Sequence, residues 1–402
     1  MITIVGGIYG EHCVRPAWDE VYGSAGRAAT AIARFGGDVE LQGFVDADQQ
    51  YIMENRAALE RFKFQPHVIA TGLSFEYLHG LSRPAVIGAL EQVEELKVAA
   101  PKVLRFGMIE ATVVVDAEYA VYDPQSADAP QSFGANGSKA SHLALVLNRN
   151  EAGFFIGDHS LSPESLAKAV ADKQHAEVVI IKMGPLGALV YDKGNISRVS
   201  AHRTARVWKI GSGDTFAAHF ALAWMEEGLS AHNAAVRASK ATAYYCDTQG
   251  HPSARLLAGY AAVPLEPSER YRNGFRPKVY LAGPFFTLAQ LWMVTEARNA
   301  LTDLGLRVFS PYHDVGLGSA DDVVQKDLQA IHDCDLVFAI GDGLDSGTIY
   351  EIGYARALDK PVVVYVENES AQDRKMMEGS HCRISDDYVS AIYQVIWEAC
   401  TL

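Results

Sequence analysis

The chain has 402 residues, 49% of them hydrophobic and 21% charged, with a formal net charge of −14. That composition supports a sizeable buried core and excludes disordered, collagen-like and low-complexity chains, while at about 150 residues per domain the length predicts two or three domains. The charge is uneven, with 9 basic and 19 acidic residues from Lys278 onward against 26 and 30 before it, so no nucleic-acid polymer is expected as a partner.

No apolar run approaches the roughly 18 residues that cross a bilayer. The opening Met-Ile-Thr-Ile-Val-Gly-Gly has neither the basic nor the long apolar region of a signal peptide, so no membrane partner is expected. Cys13, Cys246, Cys334, Cys382 and Cys400 are scattered without a Cys-x-x-Cys pair. They fit a reducing cytoplasm rather than a disulfide framework or a zinc site.

In chain order, short β-rich runs at 2–5, 39–44, 67–70, 143–147 and 178–182 alternate with helical patterns at 27–35, 164–172, 215–227 and 231–245. The stretch 113–122 reads as a pair of short strands. This alternation predicts a doubly wound, mainly parallel α/β sheet over residues 1–262. At 263–277 three prolines and a glycine interrupt the pattern, which predicts a linker. From 278 the same grammar returns at smaller scale. Strands are predicted at 278–282, 307–309, 336–340 and 361–366, and helices at 288–304, 321–332, 348–358 and 386–399. Residues 278–402 thus read as a smaller flavodoxin-like α/β sandwich, with ligands at the carboxyl ends of its strands.

Gly211-Ser212-Gly213-Asp214 opens the 215–227 helix. Small residues admit a ligand close to the backbone, and the free N–H groups of a helix start attract anionic oxygens. Asp214 has the chemistry to take a proton from a sugar hydroxyl while those N–H groups stabilise charge on a transferring phosphoryl group. On local sequence alone an ordinary N-cap is the better account. In context, most of residues 1–262 resembles the PfkB/ribokinase family of sugar and nucleoside kinases. The resemblance implies a ribokinase-like fold, ATP and Mg2+ as cofactors, Asp214 as general base, and Gly211, Ser212 and Gly213 as an anion hole. Asn148-Arg149-Asn150-Glu151 is similar to the family's Asn-x-x-Glu motif, which implies that Asn148 and Glu151 organise phosphate and, indirectly, the metal. Lys182 and Gly184 resemble the nucleotide-side segment, and Gly23-Ser24-Ala25-Gly26 the glycine motif at the sugar site.

Three features depart from that pattern. Trp208-Lys209-Ile210 stands where the family has Asp-Thr, and Arg27 stands at its sugar-binding asparagine. The stretch between the first strand and Gly23 leaves little room for the usual β-lid. Arg27 suits a carboxylate or phosphate on an unusual acceptor; it equally suits a domain that binds a sugar or nucleoside without phosphorylating it.

The second domain opens with Tyr280 on a strand and Gly283-Pro284-Phe285 at its end, followed by Asp327 on a helix and by Asp345-Ser346-Gly347-Thr348-Ile349-Tyr350-Glu351. A glutamate one turn into a helix at the ligand edge of a parallel sheet has the chemistry to attack the anomeric carbon of a nucleoside, while another carboxyl group protonates the departing base. Asp321, Asp322 and Asp359 are read as acidic residues of solvated helix starts. Nearly all of 278–366 resembles the nucleoside 2-deoxyribosyltransferase family. The resemblance implies Glu351 as nucleophile, Asp327 and Asp345 as the active-site aspartates handling the base, and Tyr280 as the group that positions the nucleophile. It places Gly283, Pro284, Phe285, Ser346, Gly347 and Thr348 about the substrate.

Related family members hydrolyse deoxynucleoside 5′-monophosphates with a serine near the position of Asp345. An aspartate there repels a phosphate dianion, so an unphosphorylated nucleoside is expected; Ser346 is the residue that would receive a phosphate. The family also borrows an asparagine from a neighbouring subunit, which implies a homo-oligomer. Asn368 is a weak match for it, and 374–385 departs from the pattern, which favours hydrolysis beside transfer.

Thirteen histidines show no His-Glu-x-x-His spacing. Trp224, Trp292, Trp397 and His219 read as packing residues. The whole reads as a bifunctional nucleoside-metabolising enzyme, with hydrolysis followed by phosphorylation yielding base and sugar phosphate. Two other readings stand beside it: glycosidic chemistry alone with a ligand-sensing pseudokinase, and a non-enzymatic nucleotide-binding scaffold.

Overall fold

Runs such as Ile2–Val5 and Val178–Lys182 are apolar almost without interruption and buried along nearly their whole length, as parallel strands covered on both faces must be. In chain order the strands are β1 (Ile2–Val5), β2 (Gly10–Arg15), β3 (Trp18–Val21), β4 (Val39–Val45), β5 (Lys63–Val68), β6 (Ser74–His79), β7 (Ala85–Ile87), β8 (Leu96–Phe106), β9 (Val113–Asp123), β10 (Lys139–Asn148), β11 (Val178–Lys182), β12 (Ala188–Asp192) and β13 (Asn195–Val199). The computed structural model describes residues 1–88, 95–126 and 129–402. Contacts divide the chain into two units, Met1–Thr204 with Trp208–Pro264, and Ala205–Val207 with Leu265–Leu402.

The first unit is built on a nine-stranded sheet of order β13-β12-β11-β10-β9-β8-β1-β4-β5. It is parallel from β11 to β5, and β12 and β13 add an antiparallel edge. Leu104 and Phe106 of β8 join the core on one face, whereas Val103 joins Tyr122 and Phe133 on the other. The predicted α/β class is what the sheet shows. Several details differ. The stretch 113–122, expected as a pair of short strands, is one continuous strand in which exposed Asp116 and Glu118 alternate with buried Val115 and Ala117. Helix 27–35 begins at Gly23, and 215–227 is an α-helix over Ser212–Ala221 followed by a π turn over Leu222–Glu226.

The expectation of little room for a lid is overturned. Only Pro16 and Ala17 separate β2 from β3, and the other two strands arrive later in sequence, so a four-stranded sheet β3-β2-β6-β7 forms. Strand β2 pairs antiparallel with β3 and parallel with β6.

Two further strands, β14 (His202–Arg203) and β15 (Val263–Pro264), pair with each other. The predicted linker therefore contains a strand, and also a one-turn helix, Glu269–Arg272, capped by Ser268. The second unit follows with β16 (Lys278–Ala282), β17 (Arg307–Phe309), β18 (Leu336–Ile340), β19 (Val362–Tyr365) and β20 (Arg383–Ser385). Its five strands are all parallel, in the order β17-β16-β18-β19-β20. That is the flavodoxin-like order, whose ligand crevice lies where the winding reverses, between β16 and β18. Helix Ala371–Gly379 and β20 were not anticipated.

Gly23 turns the chain into its helix at φ +61°, and a Cβ there would lie 2.3 Å from the Gly7 carbonyl oxygen. Gly23→Ala is therefore expected to destabilise the protein by roughly 1–3 kcal/mol, read as a lower melting temperature; an unchanged melting temperature would contradict the close approach.

Candidate active sites

In the first unit the winding reverses between β1 and β8, and a cavity of about 650 Å³ opens there at the carboxyl ends of the strands. Gly23, Arg27, Gly211 and Asp214, four of the residues singled out from sequence, line it. Arg27 is 1% exposed. Its Nη1 donates to Glu11 Oε1 and to Asp214 Oδ2, both at 2.9 Å. Its Nη2 donates to Glu11 Oε2, and its Nε to the Tyr245 hydroxyl at 3.0 Å. Burial works against this guanidinium, but Glu11, Tyr245 and Asp214 together hold its pKa well above the ordinary value. The arginine thus spends its donors on carboxylates of the protein itself.

The other departure belongs to the same network. Trp208 is buried; its indole N–H donates to the Tyr245 hydroxyl at 3.2 Å, and that hydroxyl donates to the Ile210 carbonyl at 2.9 Å. Gly211, at φ +75°, has no room for a side chain, since a Cβ would fall 2.0 Å from Arg27 Nε. Asp214 Oδ1 accepts from Gln125 Nε2 at 2.6 Å, so each oxygen of the proposed base carries a donor.

A second group of charges lies toward β10 and β11. Lys182 Nζ donates to Asp123 Oδ2 at 2.5 Å and lies 3.4 Å from where a Cβ on Gly213 would be. Asn148 and Glu151 form a capping box for helix Arg149–Ile156: Glu151 N–H donates to Asn148 Oδ1 at 2.9 Å, and Asn148 N–H to Glu151 Oε2 at 2.7 Å. Burial, then the charge of Asp123, pushes the Glu151 carboxyl up to about 7 against the pull of Lys182. Asp123 is itself raised by burial, and its Oδ1 is sealed without a partner. Lys209 Nζ donates to Ser212 Oγ at 3.1 Å, beside the turn. Gly184 opens a 3₁₀ turn just after β11.

In the second unit, Tyr280 of β16 is wholly buried and its hydroxyl donates to Glu351 Oε1 at 2.5 Å. Glu351 lies on helix Ser346–Ala357, which Asp345 caps by accepting from Thr348 N–H at 2.9 Å and Thr348 Oγ1 at 3.0 Å. Burial pushes the Glu351 carboxyl up to about 7; the Tyr280 hydrogen bond pulls it down, and the charges of Asp327 and Asp345 push it up. Asp327, on helix Ala320–Asp333, is raised by burial and has one carboxylate oxygen sealed without a partner. Gly347 lies 3.1 Å, from its would-be Cβ, from Asp345 Oδ2. Gly283 is fitted between Ile340 and Val294, each 3.2 Å from a would-be Cβ, and the Phe285 ring after Pro284 lies 5.5 Å from Tyr312. Ser346 is the first residue of the Glu351 helix. Asn368 is exposed, its backbone N–H donating to Asp342. His219, in the first unit, is fully buried against Phe35, with both ring nitrogens unpartnered.

Four members of the first site were not read from the sequence: Glu11, Asp123, Gln125 and Tyr245. Asp123-Pro124-Gln125 directly after a buried strand was the available signal for two of them. Glu11 and Tyr245 had none, because an acidic residue in a short strand and a tyrosine on a helix are ordinary there.

Residues 121–253 match the family model of the pfkB family of carbohydrate kinases, and residues 279–385 match that of nucleoside 2-deoxyribosyltransferase. No curated protein matches the chain. Among solved structures, Arabidopsis thaliana ribokinase complexed with ribose and ATP is 17% identical, covering 64% of this chain and 97% of its own at a TM-score of 0.49. The Methanocaldococcus jannaschii nucleoside kinase is 13% identical, with 64% and 96% covered and a TM-score of 0.49. Escherichia coli phosphofructokinase-2 in complex with potassium is 13% identical, with 64% and 98% covered and a TM-score of 0.48. The two family matches define the class: a two-domain protein of nucleoside and sugar metabolism, an enzyme of the transferase class. No helix among the described residues is long and apolar enough to cross a membrane.

Removing Arg27 would leave Glu11 and Asp214 buried without their cation. Arg27→Met is expected to lose about 3–5 kcal/mol in denaturant unfolding, and Arg27→Lys less. Equal stability of Arg27→Met and wild type would contradict the network.

Proposed function

We propose that the second unit cleaves, or transfers at, the N-glycosidic bond of an unphosphorylated nucleoside, and that the first unit phosphorylates a hydroxyl of a small sugar or nucleoside with ATP and Mg2+. The observation that carries the first part is the 2.5 Å hydrogen bond from Tyr280 to Glu351, beside Asp327 at the switch point of the parallel sheet. A Glu351 oxygen attacks C1′ and forms a glycosyl ester as the C1′–N bond breaks, with that bond's electron pair leaving on the base. Asp327, raised by burial, is suited to hand the departing base a proton. Water or a second base then attacks C1′ and returns Glu351 to its carboxylate. Tyr280 holds the nucleophile in place throughout. We assign the work to the protein as a homo-oligomer of the cytoplasm, acting on small molecules and on no nucleic-acid polymer.

For the first unit, the support is the Gly211–Asp214 turn opening a helix next to Lys182, with Asp214 on the cavity wall. No three carboxylate, histidine or cysteine side chains among the described residues gather as a metal site. Magnesium commonly takes only one or two carboxylates plus substrate phosphates and water. Two carboxyl groups, Asp123 and Glu151, act on the single cation Lys182, and Asp123 Oδ1 is buried without a partner, so these residues fit a phosphate-borne ion. When bound, that ion neutralises charge on the phosphates. A second reading, a ligand-sensing pseudokinase, is favoured by one observation: both Asp214 oxygens already carry donors.

Four outcomes are expected. Product analysis over a nucleoside panel should give free base with wild type and none with Glu351→Ala; base release by the variant would overturn the assignment. The base-release rate should rise with pH through about 7, as Glu351 loses its proton. Tyr280→Phe removes a hydrogen bond that lowers Glu351, so its midpoint should move up; Asp345→Asn removes a charge that raises it, so that midpoint should move down. Unmoved midpoints would contradict the electrostatics. ATP turnover that wild type shows and Asp214→Asn lacks supports the kinase, whereas wild-type ligand binding with no turnover supports the sensor.

A further inference from the structure

One buried cation on the cavity of the first unit has no counter-ion among the described residues. Arg105, near the carboxyl end of β8 and in register with Val5 and Tyr122, is 6% exposed and lines the cavity. Its Nη1 donates to Ser138 Oγ at 3.1 Å and to the Phe133 carbonyl at 3.3 Å. Its guanidinium carbon lies 4.8 Å over the Tyr122 ring and 5.6 Å over that of Phe133. Among the described residues, Nε and Nη2 have no hydrogen-bond acceptor and no carboxylate comes within ion-pair distance.

The described acidic groups of the same cavity make no ion pair with Arg105, and Glu110 Oε1 is buried without a partner. Glu11 and Asp214 hold Arg27, and Glu110 accepts from the Tyr9 hydroxyl at 2.5 Å and from Ile109 N–H at 3.1 Å. A guanidinium stacked on aromatic rings and only 6% exposed is costly to leave without an anion, and burial holds the Arg105 pKa below its ordinary value. Its two unspent N–H directions suit a forked contact with an oxyanion.

Position separates this group from the phosphate-donor side. Lys182 is on β11 and Arg105 on β8, three strands apart in the sheet, roughly 14 Å at about 4.8 Å per strand. Arg105 is instead on the strand next to β1, whose end carries the Gly7–Gly23 approach. A cavity of about 650 Å³ holds a small ligand with room for such a group.

We propose that the first unit's cavity selects an anionic small molecule, a sugar or nucleoside derivative bearing a phosphate ester or carboxylate, and that Arg105 binds that oxyanion on the acceptor side. This goes beyond the kinase reading and does not need turnover, since binding alone tests it. The neutral sugar that Glu351 chemistry would release is then not the preferred ligand of this cavity.

The test is calorimetric titration of the full-length protein with ribose, ribose 5-phosphate, ribonate and ATP–Mg2+ separately, on wild type, Arg105→Met and Arg105→Lys. Wild type should bind ribose 5-phosphate or ribonate at least about tenfold tighter than ribose, and the better of the two identifies the oxyanion. Arg105→Met should lose about 10- to 100-fold for that ligand while ATP affinity holds; Arg105→Lys, which keeps the charge, should lose less. Should Arg105→Met fail to fold, wild-type selectivity and the Arg105→Lys titration decide. The proposal falls if ribose binds as tightly as both anionic probes, if neither anionic probe binds, or if substitution weakens ATP alone. Loss of ATP turnover in Asp214→Asn bears only on the kinase reading and leaves this binding result standing.

Discussion

A guanidinium buried between two carboxylates fixes the first unit. Arg27 carries no exposed surface to speak of, so its charge must be met inside, and Glu11 from the lid sheet and Asp214 from the helix start meet it. The lid strand β2 and the Gly211 turn are thereby tied to one side chain. Tyr245 closes the arrangement, because a single hydroxyl accepts from Arg27 and Trp208 and donates to the Ile210 carbonyl. Arg27 and Trp208, far apart in the sequence, belong to one hydrogen-bonded network through Tyr245. Gly211 is then obligatory, since the guanidinium occupies the space a side chain would need.

The second unit uses the same physics with a different end. Its parallel strands also deliver acidic residues to a partly dry edge, but among the described residues no cation neutralises Glu351. Desolvation and two neighbouring carboxylates raise it, and one tyrosine hydroxyl restrains it. The balance raises the carboxyl to about 7 without locking it in an ion pair among the described residues, as the proposed nucleophile requires. In the first unit Asp214 is held by donors on both oxygens; in the second Glu351 has one donor and a free oxygen. That contrast is why the glycosidic chemistry carries the functional reading.

Local features of this chain are legible in its sequence, and long-range pairings are not. The strands at 178–182, 278–282 and 336–340 lie where their apolar runs place them, because burial on both faces leaves a continuous hydrophobic signature. The site turns are equally visible, since a strand end followed by glycines and an acid is a local pattern. The lid sheet was hidden because its strands are short, half exposed and assembled from segments some sixty residues apart. Strand β9 alternates buried Val115 and Ala117 with exposed Asp116 and Glu118, so it lacks a continuous apolar signature. Glu11, Tyr245 and Arg105 gain their meaning from partners far along the chain, and single positions carry no trace of that. The capping geometry of Asp345 and of Asn148 with Glu151 shows the converse: a motif residue can serve the helix start and still stand at the site.

The claim on which the account turns is that Glu351 forms a bond to the sugar. Rapid-quench intact-mass and peptide mass spectrometry of the full-length protein mixed with a deoxynucleoside would test it most directly. The account predicts a transient adduct of one deoxyribosyl unit on the peptide carrying Glu351, formed as base appears and lost as water or a second base arrives. Base release with no adduct at any quench time, or an adduct mapping to another residue, would contradict it.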